Sequence, residues 1–267
     1  MHGASKGGAW VFWERLTTKA FREQVLGHVD TAILPTGSVE AHGQHCPLGT
    51  DNIAPAQFAQ RVEALYPERL LVMPAIPYGH TWDLAEWPGT LSIPGEVFGR
   101  YVAAVGQAAA GWGMANVVIL NGHGGNIGPL TTAMEDMAEH GARVVLVNWW
   151  LDYREDILRV VAGQGHAGED ETSVMLAMAG SWVQMEDASF NPLVPRYRIK
   201  DTGLASRHLR HATTGDGRGG TREKGEQIIA LVTERLKELL ADLWADRLFD
   251  RSPAHTGKLD LHQPTGG

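Results

Sequence analysis

Two rhythms of apolar positions alternate along this chain. Short, unbroken apolar runs stand at 31–34, 70–76, 116–120 and 143–149 and predict buried strands. The first runs into Pro-Thr-Gly, the second stops before Pro77, and the third feeds a glycine-rich segment, as strands ending in loops do. Between them apolar residues recur every three or four positions. Ile53, Ala56, Ala59, Val62 and Leu65 mark a helix over 52–66. Further helices are predicted over 96–111, over 129–140 with Gly141 as its stop, and over 170–179 with acidic residues in the first turn. A long amphipathic helix is predicted over 221–249. Strand and helix alternating in this way imply an α/β fold with a mostly parallel sheet covered on both faces.

The 267 residues suit one large domain, placed at 10–250, with 1–9 and 251–267 read as flexible termini because they are Gly-rich or patternless. A net charge of −8 argues against nucleic acid and against an anionic membrane surface. No apolar run reaches the length of a membrane span. The single cysteine, Cys46, excludes an intrachain disulfide and favours a cytoplasmic setting.

The chemistry concentrates where predicted strands stop. In Gly37-Ser38-Val39-Glu40-Ala41-His42-Gly43, Glu40 and His42 are two apart, so in extended backbone both point to one side and can converge on a metal ion. Asp51 follows across a loop long enough to fold back; the competing reading makes it a cap for the helix that follows. Asn121-Gly122-His123-Gly124-Gly125-Asn126 places His123 at the carboxyl end of a strand, where open α/β sheets bind ligands. The backbone N–H groups of Gly124 and Gly125 can approach an oxyanion; the bland alternative is a phosphate loop or a plain turn. His166 precedes a helix opening with Glu169, Asp170 and Glu171. Dipole compensation accounts for two of those acids, and the functional reading makes Glu171 a metal ligand and His166 a general acid or base. The 79–92 loop, with His80, Trp82, Glu86 and Trp87, and the Trp149-Trp150 pair are candidate walls of a small-molecule pocket; the competing reading makes them parts of a subunit interface or a core edge.

These residues resemble the creatininase family. The likeness rests on Gly37-Ser38-x-Glu40-x-His42-Gly43, Pro47-Leu48, Asp51, Pro77-Tyr78-Gly79, Pro88-Gly89-Thr90, the 121–126 segment, His166-Ala167-Gly168 with Glu171-Thr172-Ser173, and more weakly Thr221-x-Glu223-Lys224-Gly225. The resemblance implies a three-layer α/β/α sandwich, assembly as homo-oligomers that are often hexamers, and two divalent metal ions (zinc, manganese or iron). It also implies that Asp51 bridges the ions, that Glu40 and His123 complete one site, and that His42 belongs to the other. A small-molecule substrate would be hydrolysed at an amide or cyclic amide C–N bond by metal-bound hydroxide. One departure stands out: creatininase proper supplies a glutamate where this chain has Gly125. The missing carboxylate is expected from Glu171, the alternative being a second metal bound weakly or not at all, and creatinine is disfavoured as substrate. The alternatives are ring opening of a cyclic ketone such as a keto-inositol, a non-catalytic metabolite-binding protein and, least of all, a purely structural oligomer.

Overall fold

The computed structural model describes residues 12–191, 193, 196, 197 and 199–249. The segments 1–9 and 251–267 lie outside the described residues. Four strands, β1 (Thr31–Thr36), β2 (Leu70–Val72), β3 (Asn116–Asn121) and β4 (Arg143–Asn148), form one sheet in the order β2-β1-β3-β4. All three pairings are parallel. The helices in chain order are α1 (Thr18–Gln24), α2 (Thr50–Glu63), α3 (Gly95–Gly111), α4 (Ile127–Glu139), α5 (Trp149–Asp152), α6 (Arg154–Ile157), α7 (Glu169–Ala179), α8 (Leu204–His208) and α9 (Arg222–Trp244).

The alternation of side chains along each strand sorts the core into two halves. Ile33, Leu70, Val72, Val118, Leu120 and Val147 face the layer of α2, α7 and α9, where Phe58, Val174, Val232 and Leu236 meet them. Ala32, Leu34, Leu71, Val117 and Ile119 face α3 and α4, packing on Phe98, Val102, Leu130 and Met137. This is the three-layer sandwich expected. Fully burying one of these aliphatic side chains contributes about 1.5–3 kcal/mol, so the two half-cores hold the sheet rigid under the loops that leave it.

Strand edges differ from the sequence reading for identifiable reasons. β1 continues through Pro35 to Thr36. The Pro35 carbonyl accepts from the Ile76 N–H on the β2 flank, so the missing proline donor faces the side where β2 has already ended. The predicted strand over 70–76 stops at Val72, because Pro74 cannot continue a ladder. Pairing returns only as a single bridge at Ile76. β4 ends at Asn148, and Trp149 opens a short helix instead. The helix predicted from residue 52 begins at Thr50, which puts Asp51 inside its first turn with Gly49 at the cap, so Asp51 is not the cap. The final helix ends at Trp244 rather than 249, and Thr221 caps it by accepting from the Lys224 N–H. Helix α1 had no counterpart in the sequence reading.

The strand order reverses between β1 and β3. From β1 the chain moves one way to β2, and from β3 it moves the other way to β4. The crevice beyond the carboxyl ends of β1 and β3 is the switch point of the sheet. Both candidate motifs, 37–43 and 121–126, leave the sheet there.

Candidate metal centre

Four backbone segments bring six side chains together. The loop after β1 carries Glu40 and His42, the first turn of α2 carries Asp51, the exit of β3 carries His123, and the approach to α7 carries His166 and Glu171. Glu40, His42, Asp51 and His123 are buried, as is Glu171, while His166 is partly so. Asp51 reaches the centre because the start of α2 is wedged against the strand exit. A Cβ at position 122 would lie 2.0 Å from the Asp51 carbonyl oxygen, an approach that only glycine permits.

Asp51 faces two ways. Its Oδ1 lies 2.9 Å from His42 Nε2, and its Oδ2 lies 3.0 Å from His123 Nδ1. On the first side Glu171 Oε2 is 3.7 Å from His42 Nε2. On the second, Glu40 Oε1 is 3.2 Å from His123 Nδ1. Glu40 Oε1 also lies 3.6 Å from His166 Nδ1. Three overlapping groups follow, each compact enough to hold a cation: Glu40 with Asp51 and His123, His42 with Asp51 and Glu171, and Glu40 with His42 and His166.

Each imidazole is steered by a main-chain carbonyl. His42 Nδ1 lies 3.2 Å from the Glu40 oxygen, His166 Nε2 lies 2.7 Å from the Ala41 oxygen, and His123 Nε2 lies 3.1 Å from the His80 oxygen. The nitrogen facing a carbonyl carries the proton, so in the neutral ring the other nitrogen presents its lone pair to the carboxylates. The backbone of His166 is itself held: its carbonyl accepts from Thr213 Oγ1 at 2.7 Å and from the Thr214 N–H at 3.0 Å. Its N–H donates to Thr214 Oγ1 at 3.0 Å. Ala167, at φ 51°, donates its N–H to Glu171 Oε2 at 2.7 Å and so aims that carboxylate.

Burial and close charges shift the proton affinities of these groups in opposite directions. Burial works against charge on His42, yet Asp51, then Glu171 and Glu40, raise its pKa to about 10. His123 is likewise raised well above its ordinary value by Glu40 and Asp51 against the cost of burial. Burial opposes ionisation of Asp51 too, but the two imidazoliums hold it well below the usual carboxylate range. Burial pushes Glu171 up to about 8, with Asp170 and Asp51 adding and His42 opposing. Burial and the charge on His42 push His166 down to about 4.

The donor set fits divalent cations. Glu40 Oε1 and Oε2, His42 Nε2 and Asp51 Oδ2 are buried without a hydrogen-bond partner, although they sit near one another. Such atoms are costly to bury unless something binds them. Separations of about 3 Å between oxygen and nitrogen are those of neighbouring ligands on one ion with bonds of about 2 Å. A cation must displace protons from His42, His123 and Glu171. Metal uptake near neutral pH is therefore expected to release two or more protons per chain, and apparent affinity to rise with pH until the Glu171 and His42 ranges, about 8 and about 10, are passed. Calorimetric titration with zinc in buffers of different ionisation enthalpy measures this; an affinity independent of pH would contradict the charge arrangement.

The proposed pocket residues are placed unequally. The Trp150 ring lies beside Gly124, where a Cβ would be 3.9 Å from its Cζ2. His80 approaches the centre with its main chain, while its imidazole Nδ1 lies 3.0 Å from the Ile93 carbonyl oxygen. Trp82 lines a separate cleft with Asp83, Glu86 and residues 201–205, with Lys200 over its ring. Gly125 is closed in by the His80 oxygen, 2.0 Å from where a Cβ would stand. A side chain there would collide with main chain.

The model of the creatininase family, described as creatinine amidohydrolase, matches residues 14–240. The chain belongs to the creatininase family. Among relatives, a mycofactocin precursor peptide peptidase of Mycobacterium tuberculosis (strain ATCC 25618 / H37Rv) is 30% identical over 222 residues, covering 76% of this chain and 81% of the relative. A creatinine amidohydrolase of Pseudomonas putida is 26% identical over 257 residues, covering 87% and 96%. The solved structure named creatininase Mn superposes with a TM-score of 0.81 at 24% identity, over 88% of this chain and 99% of that one. A mutant creatininase of Zn-Zn type superposes at 0.77 and 23% identity over the same shares. These structural likenesses establish the creatininase fold. The creatininase-family relatives are named for cleaving amide or peptide bonds, and this chain is a hydrolase of that family.

Proposed function

We propose that this hydrolase holds two divalent metal ions, zinc, manganese or iron, and cleaves an amide C–N bond in a small molecule or short peptide. The observation that carries this reading is the two-sided Asp51 carboxylate, with a histidine and a glutamate completing a ligand set on each side. One set is Glu40, Asp51 and His123; the other is His42, Asp51 and Glu171, with Glu171 supplying the carboxylate that Gly125 cannot. Bound divalent ions supply the acidification of a water molecule near neutral pH and the polarisation of a carbonyl oxygen.

The chain's own residues do the rest. Asp51 neutralises charge between the two sites and holds them close. Backbone N–H groups of Gly124 and Gly125 are offered to a developing oxyanion. Trp150 forms an apolar wall beside them. His166, aimed by the Ala41 carbonyl and the threonines behind it, presents the lone pair of Nδ1 toward the carboxylates, takes a proton there from the attacking water and passes it to the departing nitrogen. His166→Ala is expected to keep both ions and lose about a hundredfold in turnover, the usual worth of a positioned proton donor. Loss of metal instead would make His166 a ligand, as its place beside Glu40 and His42 permits.

Support for a peptide or amide substrate other than creatinine comes from the peptidase relative at 30% identity and from the closed position at Gly125. Short peptides, cyclic amides including creatinine, and keto-polyols, each incubated with metal-loaded protein and followed by mass spectrometry, test it. Hydrolysis of peptides or amides supports the reading. Turnover of the keto-polyols alone would replace it.

A further inference from the structure

We infer that Asn126 is a positioning residue for His123 and acts through the main chain of His80. The inference rests on the reading that His123 holds a metal ion. Asn126 is fully buried and uses both ends of its amide. Its Nδ2 donates to the Gly37 carbonyl at 2.9 Å and to Asn121 Oδ1 at 3.3 Å. Its Oδ1 accepts the His80 N–H at 2.9 Å. One side chain therefore ties the exit of β1, the exit of β3 and the loop that carries His80.

The tie matters because of where His80 ends up. Its carbonyl oxygen sits 3.1 Å from His123 Nε2, which fixes the proton on that nitrogen. Nδ1 is left with its lone pair toward Glu40 and Asp51, 3.2 and 3.0 Å away. His42 and His166 take their guiding carbonyls from the ligand loop itself, at Glu40 and Ala41. His123 takes its carbonyl from a loop that contributes no side chain to the ligand set, and that loop needs an anchor. Asn121 completes the frame: its Nδ2 donates to the His123 carbonyl at 2.7 Å and to Asn148 Oδ1 at 2.8 Å, and its Oδ1 accepts the His123 N–H at 3.1 Å. Gly125 belongs to the same device. A Cβ there would stand 2.0 Å from the His80 oxygen and 2.5 Å from His123 Nε2, so glycine is what lets the carbonyl reach the ring.

The test uses zinc-loaded wild-type protein labelled with nitrogen-15 at histidine, together with Asn126→Ala. In the wild type, one imidazole is expected to coordinate zinc through Nδ1 and to carry a slowly exchanging Nε2–H. His42, coordinating through Nε2, should show the opposite pattern. Asn126→Ala is expected to weaken zinc binding at one of the two sites by about tenfold to a hundredfold and to speed exchange of the Nε2–H, with the second site little changed. The ion-free melting temperature is expected to fall, because the Gly37 carbonyl and the His80 N–H lose their partner. Zinc bound with wild-type affinity and unchanged ring exchange in the folded variant would overturn the inference. So would a wild-type spectrum in which zinc is bound but no Nδ1-coordinated ring with a protected Nε2–H is present, and this decides the matter even where the variant does not fold. A wild type that binds no zinc would instead remove the metal reading on which the inference stands.

Discussion

Asp51→Asn is expected to lose both metal ions and to lower turnover by at least about a thousandfold, with the fold retained. The asparagine has nearly the same shape, so packing against the strand exits survives. What changes is charge and donor type. Asp51 offers one oxygen to the His42 side at 2.9 Å and the other to the His123 side at 3.0 Å. An amide keeps one neutral oxygen and turns the other position into an N–H donor, which repels a cation. The two sites share this carboxylate, so neither is left complete. Elemental analysis with kcat and circular dichroism of the variant checks the expectation. Two ions still bound in the folded variant would show that Asp51 bridges nothing.

Glu171→Gln is expected to lose one ion of the two and to cost at least about a hundredfold in turnover. The carboxylate approaches the His42 side only, 3.7 Å from Nε2, while Glu40 and His123 complete the other side without it. The glutamine can still accept the Ala167 N–H that now aims the carboxylate, so the first turn of α7 stays in place. Burial raises Glu171 to about 8 in the ion-free protein, so in the wild type this is also the ion expected to leave first as pH falls. Unchanged stoichiometry in the variant would mean that the carboxylate absent at Gly125 has no replacement here.

Much of the architecture was legible because the signals are local. The strands β1, β3 and β4 announce themselves as apolar runs bounded by turn residues, and both of their faces are apolar because both are covered. Errors arose where one residue overruled its neighbours: Pro74 cut β2 short inside an apolar run. The sequence allows Asp51 as a ligand or as a cap, and its placement inside α2, behind Gly49, follows from a helix start two residues earlier than the apolar spacing indicates.

The candidate site divides in the same way. Glu40, His42, Asp51, His123, His166 and Glu171 stand out in sequence because carboxylates and imidazoles beside strand ends are unusual. Their orientation did not show. It depends on the carbonyls of Glu40, Ala41 and His80, and a main-chain atom has no letter in a sequence. The imidazole of His80 is what stands out in the sequence, yet its carbonyl is the atom that meets His123. Asn126 looked like the end of a glycine turn, and only the folded chain brings Gly37 and the His80 N–H to its two ends. Thr213 and Thr214 lie nearly fifty residues from His166 in sequence, and nothing local links them.

A pair of cations sharing Asp51 would show most directly in the metal content of protein purified without chelator. Two divalent ions per chain are predicted, in the as-isolated protein or after incubation with zinc, manganese or iron. A single ion, or none after that incubation, would contradict the bridged centre.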